Sequence, residues 1–313
     1  MRSSINRRNF MVGSAGSLAL AGCARPPLRE ATVSIVRAPA YSDDLYSTVR
    51  RLLKDSRLNV RGKRVVLKPN LVEFEPGSVI NTHPMIVHAA LEGFRALGAA
   101  DVRIAEGPGH RRNTLDLADA AGYFQTIRNF EDVFTDLNLD EVSRVPVARP
   151  SSRLTHLYLP QTVLACDLLV SLPKMKTHHW TGATLGMKNF FGLVPGGVYG
   201  WPKNLLHWAG INESIADLHN LFPRHFTLVD GIVGMEGNGP IQGKPKPVGV
   251  LVAGRDMPAV DATCCRIMGI DPAKIRYLEI AGIPEKINQT GEPVESVRTN
   301  FELLPLFQSI RLA

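Results

Sequence analysis

The chain has 313 residues, 44% of them hydrophobic and 21% charged, and a formal charge of +7. These proportions exclude disorder, a collagen-like repeat and a coiled coil as the main architecture, and the length supports one large or two modest domains. Arg2, Arg7 and Arg8 lie in the first 22 residues, which hold no acid, so the rest carries only a small basic surplus. A surplus without a clustered basic stripe argues against nucleic-acid binding and suits a pocket for a small anion.

Residues 5–23 read as an address. Arg7-Arg8 with Phe10-Met11 has the form of a twin-arginine export signal, and Leu20-Ala21-Gly22-Cys23 that of a lipobox. The apolar run from Met11 to Ala21 is too short to span a hydrocarbon core of ~30 Å. The expectation is a signal peptide over 1–22 and a tether over 23–30. A single α/β domain then fills 31–313, held on the periplasmic side of a membrane by a lipid on Cys23.

Beyond the tether, alternation makes Ala31 to Arg37 a strand, and Leu45, Val49 and Leu52 place a helix over the following stretch. Arg64 to Lys68 is a short apolar strand stopped by Pro69. Pro84 opens a helix, Asp101 to Glu106 is a strand, and Thr114 caps another helix. Strands are expected at Leu154 to Leu159, Asp167 to Leu172, Phe226 to Asp230 and Val248 to Ala253. One long helix is expected from Asn204 to Phe222, with further helices after Ala259 and Pro272. Strands alternating with helices predict an α/β fold, a largely parallel sheet flanked by helices, with a cleft at the strand carboxyl ends. Cys166 lies in an apolar run, and Cys264 and Cys265 are helix neighbours facing different ways, which disfavours a bridge. Without any Cys-x-x-Cys, no iron–sulfur cluster is expected.

Polar groups gather after four of these strands: Lys68-Pro69-Asn70, Glu106 to Arg111, Lys174 to His179, and Asp230 to Pro240. The segment from Lys174 to Gly196 is the richest, mixing lysines and histidines with glycines that let backbone approach a ligand. Phosphate-loop, dinucleotide and serine-hydrolase motifs are absent. Lys68, Asn70, Lys174, Lys176 and Asn189 are assigned to binding an anionic substrate or cofactor. His110, His178 and Lys188 are assigned to catalysis, because imidazole titrates near neutrality and a buried amine becomes nucleophilic. His207, Asp230 and Glu236 offer donors suited to a divalent metal. Lys68, His110, Lys174, His178, Lys188, Asp230 and Glu236 are expected to share one cleft.

Val66-Leu67-Lys68-Pro69-Asn70, Asn81-Thr82-His83-Pro84, Ala105-Glu106-Gly107-Pro108, Gly186-Met187-Lys188-Asn189-Phe190-Phe191-Gly192 and Val229 to Pro240 occur in order. Across roughly 60–270 the chain resembles the DUF362 family, which carries no settled activity. Some members carry ferredoxin-type segments, and this chain has no cysteines for them. More distantly, His178 to Lys188 and Gly109-His110-Arg111 are similar to nickel-pincer lactate racemases. That resemblance implies a catalytic histidine at His178, a cofactor-holding lysine at Lys188 and a nickel-pincer-like cofactor. It departs where Lys68-Pro69-Asn70 replaces an arginine loop, and His207 matches the metal histidine only approximately. Two readings follow. One is an exported isomerase- or racemase-like enzyme acting on a small anion. The other is a non-catalytic lipoprotein that hands an anion or cofactor to a partner protein.

Overall fold

The computed structural model describes residues 28–312. The export signal, the lipobox and most of the tether fall outside that range.

Among the described residues twelve strands form: β1 (Glu30–Arg37), β2 (Arg64–Pro69), β3 (Asp101–Glu106), β4 (Phe134–Asp136), β5 (Val142–Pro146), β6 (His156–Pro160), β7 (Leu168–Leu172), β8 (Lys174–His178), β9 (Gly182–Thr184), β10 (His225–Asn238), β11 (Gln242–Gly254) and β12 (Lys286–Gly291). The main sheet runs β12-β1-β11-β10-β7-β2-β3-β4, with β8 pairing to β10 and β9 to β8. Neighbours from β10 through β7, β2 and β3 to β4 are parallel. β11 is antiparallel to both β1 and β10. The fold is therefore a mixed, mostly parallel α/β sheet flanked by helices, and β5 and β6 form a separate hairpin.

The apolar run of β2 is buried on both faces, as a central parallel strand requires. Val65 and Leu67 enter one core cluster with the helices Asp44–Asp55 and Pro84–Ala96, while Val66 enters the other with the helix Met257–Ile267. That alternation carries β2 out to Lys68, at its carboxyl end and 1% exposed. β3 ends likewise at Glu106.

Three expected elements differ. The helix expected from Asn204 to Phe222 is two, Asn204–Trp208 and Ile211–Leu221, because Gly210 takes a φ of +110° between them. The helix Thr114–Ala120 is capped by Asn113, whose side chain accepts from Leu115 and Asp116 N–H, rather than by Thr114. Lys174 to His178, expected as a loop, is the strand β8. Cys166, Cys264 and Cys265 are unbridged.

Asp261 fixes the turn that delivers Lys188. It is fully buried, and its two carboxylate oxygens accept from Gly186 N–H at 2.8 Å and Met187 N–H at 3.0 Å. Those N–H groups open the short helix Gly186–Asn189. Burial pushes the Asp261 carboxyl up to about 7, against the pull of the two N–H groups. Asp261→Ala strands two buried donors, each worth about 1–3 kcal/mol. It should lower stability by on the order of 3 kcal/mol in urea unfolding, and an unchanged midpoint would show that this turn stands without Asp261.

Candidate active site

A cleft of about 210 Å³ opens at the carboxyl ends of β2 and β3 and beside β8. Lys68, Asn70, Glu106, His110, Lys176, His178, His179, Lys188, Asn189, Lys203 and His207 line it, with Trp180 at its rim. Eight sequence-assigned residues thus meet here: Lys68, Asn70, His110, Lys176, His178, Lys188, Asn189 and His207.

Period-two geometry puts Lys174, Lys176 and His178 on one face of β8, with Met175 in the core behind them. Lys176 and His178 reach the cleft. Lys174 does not: its amine pairs with Asp230 at 2.8 Å and donates to the Tyr41 hydroxyl. Asp230 also accepts from Tyr41 and from His83 N–H. This closed cluster holds the end of the 71–82 loop. Glu236 pairs with Lys246 at 3.1 Å and accepts from Glu302 N–H. The expected convergence is corrected accordingly: Lys174, Asp230 and Glu236 are occupied elsewhere, so His207, Asp230 and Glu236 do not form one ligand set. Among the described residues, no group of three or more His, Cys, Asp or Glu side chains is placed to hold a metal.

Lys68 and Glu106 form a buried ion pair at 2.5 Å. Burial lowers the Lys68 pKa and raises that of Glu106, while their mutual attraction opposes both shifts. Glu106 also accepts from Leu71 and Gly107 N–H, and Lys68 donates to Pro69 O. Asn189 ties the Gly186–Asn189 helix to β2 by donating to Lys68 O at 2.9 Å. Gly192 is required for close approach, because a Cβ there would overlap both members of the pair.

The other three lysines have no carboxylate partner among the described residues. Lys176, fully buried, donates to the carbonyls of Ile80 and Pro240, and burial pulls its pKa well down. Lys203 donates to the carbonyls of Gly107 and Val194 and is lowered to about 7, chiefly by burial. The Lys188 amine lies 3.6 Å from the Phe191 ring centroid. Burial first, then Lys203 and Lys68, lowers it to about 7.

Backbone contacts set the imidazole tautomers. His178 Nδ1 accepts Trp180 N–H at 3.0 Å, so the neutral ring carries its proton on Nε2. Burial holds that ring well below the usual histidine range. His207 Nδ1 instead faces Lys203 O at 3.0 Å and His179 Nδ1 faces Gly239 O at 2.9 Å. Both Nδ1 atoms must donate, which in a neutral His207 leaves a lone pair on Nε2. Burial lowers His207 to about 4, so it is neutral at pH 7. The cleft therefore holds the Nε2–H of His178 as a donor and the Nε2 lone pair of His207 as an acceptor, beside Lys188 and Lys203 amines near their titration point. Asn70 Oδ1 and Thr184 Oγ1 are buried there without a hydrogen-bond partner.

Sequence reading missed Lys203, Trp180 and the role of Glu106. Lys203 follows Trp201-Pro202, and no motif spacing marks it; its φ of +70°, rare for a residue with a side chain, is visible only in three dimensions. Removing one partner of the Lys68–Glu106 pair leaves a buried charge. Glu106→Ala should cost about 3–5 kcal/mol of stability, and the double variant Lys68→Met/Glu106→Leu should recover much of it in the same denaturation assay. Equal losses in both variants would show that the pairing itself is not what the fold requires.

Comparison with known proteins bears on this geometry. A thylakoid-associated protein of Synechocystis is 30% identical over 258 residues, covering 78% of this chain and 76% of that protein. The lactate racemase apoprotein of Thermoanaerobacterium thermosaccharolyticum superposes with a TM-score of 0.49 at 14% identity, over 75% of this chain and 56% of the other. A Thermotoga maritima protein gives 0.39 at 13% identity, over 79% and 59%. This chain thus spans a little over half the length of each of those two structures. Residues 65–266, which include Lys68, Glu106, the whole of β8 and Lys188, match the model of a domain of unknown function, DUF362. The chain belongs to the DUF362 family.

Proposed function

We propose that the cleft binds a small organic anion and moves a proton on it. The observation that carries this reading is the set of lysine amines, Lys176, Lys188 and Lys203, that face one cleft without a carboxylate partner. Desolvation makes their protonated forms costly, and an entering carboxylate or phosphate would supply the missing counter-charge. Asn70 and Thr184, both unsatisfied, add polar contacts at the same surface.

Proton transfer follows from the neutral groups. Lys188, near 7, has a large free-amine fraction at neutral pH and can take a proton. Nε2 of His207 is a second acceptor, and the Nε2–H of His178 is a donor. The tautomer revises the role of His178: it gives a proton or steadies a developing oxyanion, and Lys188 is the base. An acid and a base on one cleft suit isomerisation or racemisation next to a carboxylate. Lys188, the lysine that the racemase-like segment assigns to a cofactor, lines the same cleft as His207, which matches the metal histidine only approximately. The nitrogen donors there are the Nε2 lone pair of His207 and the amines of Lys176, Lys188 and Lys203, with Glu106 already engaged by Lys68.

Export and anchoring belong to the same reading: a precursor carried by Arg7-Arg8 and attached through a lipid on Cys23. The description of the Synechocystis relative as thylakoid-associated is in keeping with attachment at a membrane. Cys23→Ala should move the protein from the membrane to the soluble fraction, and persistent attachment after salt washing would remove the lipid anchor from the account.

Lys188 gives the test of the site. Its folded pKa lies below the ordinary 10.5. The unliganded fold is therefore penalised most at low pH, and the penalty fades as pH rises from about 7 towards 10.5. Lys188→Met should melt higher than the parent at pH 6, with the difference shrinking by pH 9, and should abolish proton–deuterium exchange on small carboxylates in D2O. A melting temperature that is lower for Lys188→Met at pH 6 would make Lys188 structural. Anion binding without exchange in the parent would favour the non-catalytic lipoprotein.

A further inference from the structure

We infer that the anion carries an apolar arm about the size of one ring, seated between the wall of the cleft and the indole of Trp180. The inference rests on the anion-binding reading above and extends it to substrate class. Lysines, Asn70 and Thr184 account for one end of the ligand. They do not account for the remaining lining, in which Phe191, Ile241, Pro108, Pro202 and Pro240 present apolar surface to the same space. An inorganic anion or a two-carbon acid would leave that surface wet, whereas an apolar arm would cover it.

Trp180 marks where the arm emerges. It is 55% exposed yet lines the cleft. Its ring is braced edge-on by His179, with centroids 4.7 Å apart, and by His207 at 4.8 Å. Its backbone N–H is held by His178. A large aromatic side chain kept in place at the mouth, rather than folded into the core, offers a rigid apolar contact at low entropic cost. Two of these histidines, His178 and His207, also supply the proton chemistry, so a ligand touching Trp180 is placed against them. Size limits the arm. A volume of about 210 Å³ falls below the ~300–1,000 Å³ of sites for drug-sized ligands, which leaves room for an anionic group and one ring but not a long acyl chain.

The experiment compares matched pairs on the purified chain by calorimetry: benzoate against acetate, and phenyl phosphate against inorganic phosphate. The two pairs separate a carboxylate head from a phosphate head. The expected result is at least tenfold tighter binding of the ring-bearing member of one pair. In Trp180→Ala the ratio within that pair should fall to about threefold or less, while Lys188→Met should weaken both members. Trp180 is half exposed, so its replacement leaves the core intact. Acetate or phosphate binding as tightly as its ring-bearing partner would overturn the inference and leave the anion site standing. No binding of any of the four probes would overturn the anion site and this inference with it.

Discussion

Four lysines and one carboxylate line the cleft, and Lys68 takes the carboxylate. That imbalance organises the chemistry of the site. Desolvating an ammonium group without a counter-charge costs free energy, which the amine reduces by giving up its proton. Lys188 and Lys203 come to rest near 7 for that reason, and burial pulls Lys176 well below the ordinary lysine value. A fold optimised only for stability would place methionine or leucine at such positions. Amines kept there are what the proposed anion site requires.

The scaffold explains how the amines are held. Parallel strands β2 and β3 end side by side, so Lys68 and Glu106 meet at their carboxyl ends. β8 continues along β10 beyond the end of β7 and carries Lys176 and His178 to the same place on alternate residues. Asp261, from the helix Met257–Ile267, fixes the turn that presents Lys188. The second buried pair, Lys174 with Asp230, contributes differently: with Tyr41 and His83 it closes a network that leaves no free acceptor for a ligand. Two lysines only two residues apart on one strand thus serve opposite ends, one structural and one open to the cleft.

Much of this was legible in the residues. The apolar runs of β2, β3 and β7 flanked by helical patterns announced a largely parallel sheet, and polar groups just after strands announced a cleft. The residues that misled did so for physical reasons. Lys-Met-Lys-Thr-His has a single apolar residue, so a strand whose charged face is buried looks like a solvated loop. The length of β10 was hidden by Gly231 and Gly234. Both glycines are there because a side chain at either would meet backbone, at Val250 O and Met175 O. Asp230 and Glu236 sit in the motif from Val229 to Pro240, yet nothing in that motif reveals that Lys174 and Lys246 already claim them. Neither the partner of a charge nor the tautomer of an imidazole is written in spacing; both depend on which backbone atoms the fold brings near.

The account depends most on the charge state of one amine. Titrating the Lys188 side chain by carbon-detected NMR of ε-labelled lysine, with Lys188→Met to assign the signal, reads it directly. The account predicts a midpoint near 7 in the free protein and a rise of more than one pH unit when an anion fills the cleft. A midpoint near the ordinary 10.5, unmoved by anion, would contradict it.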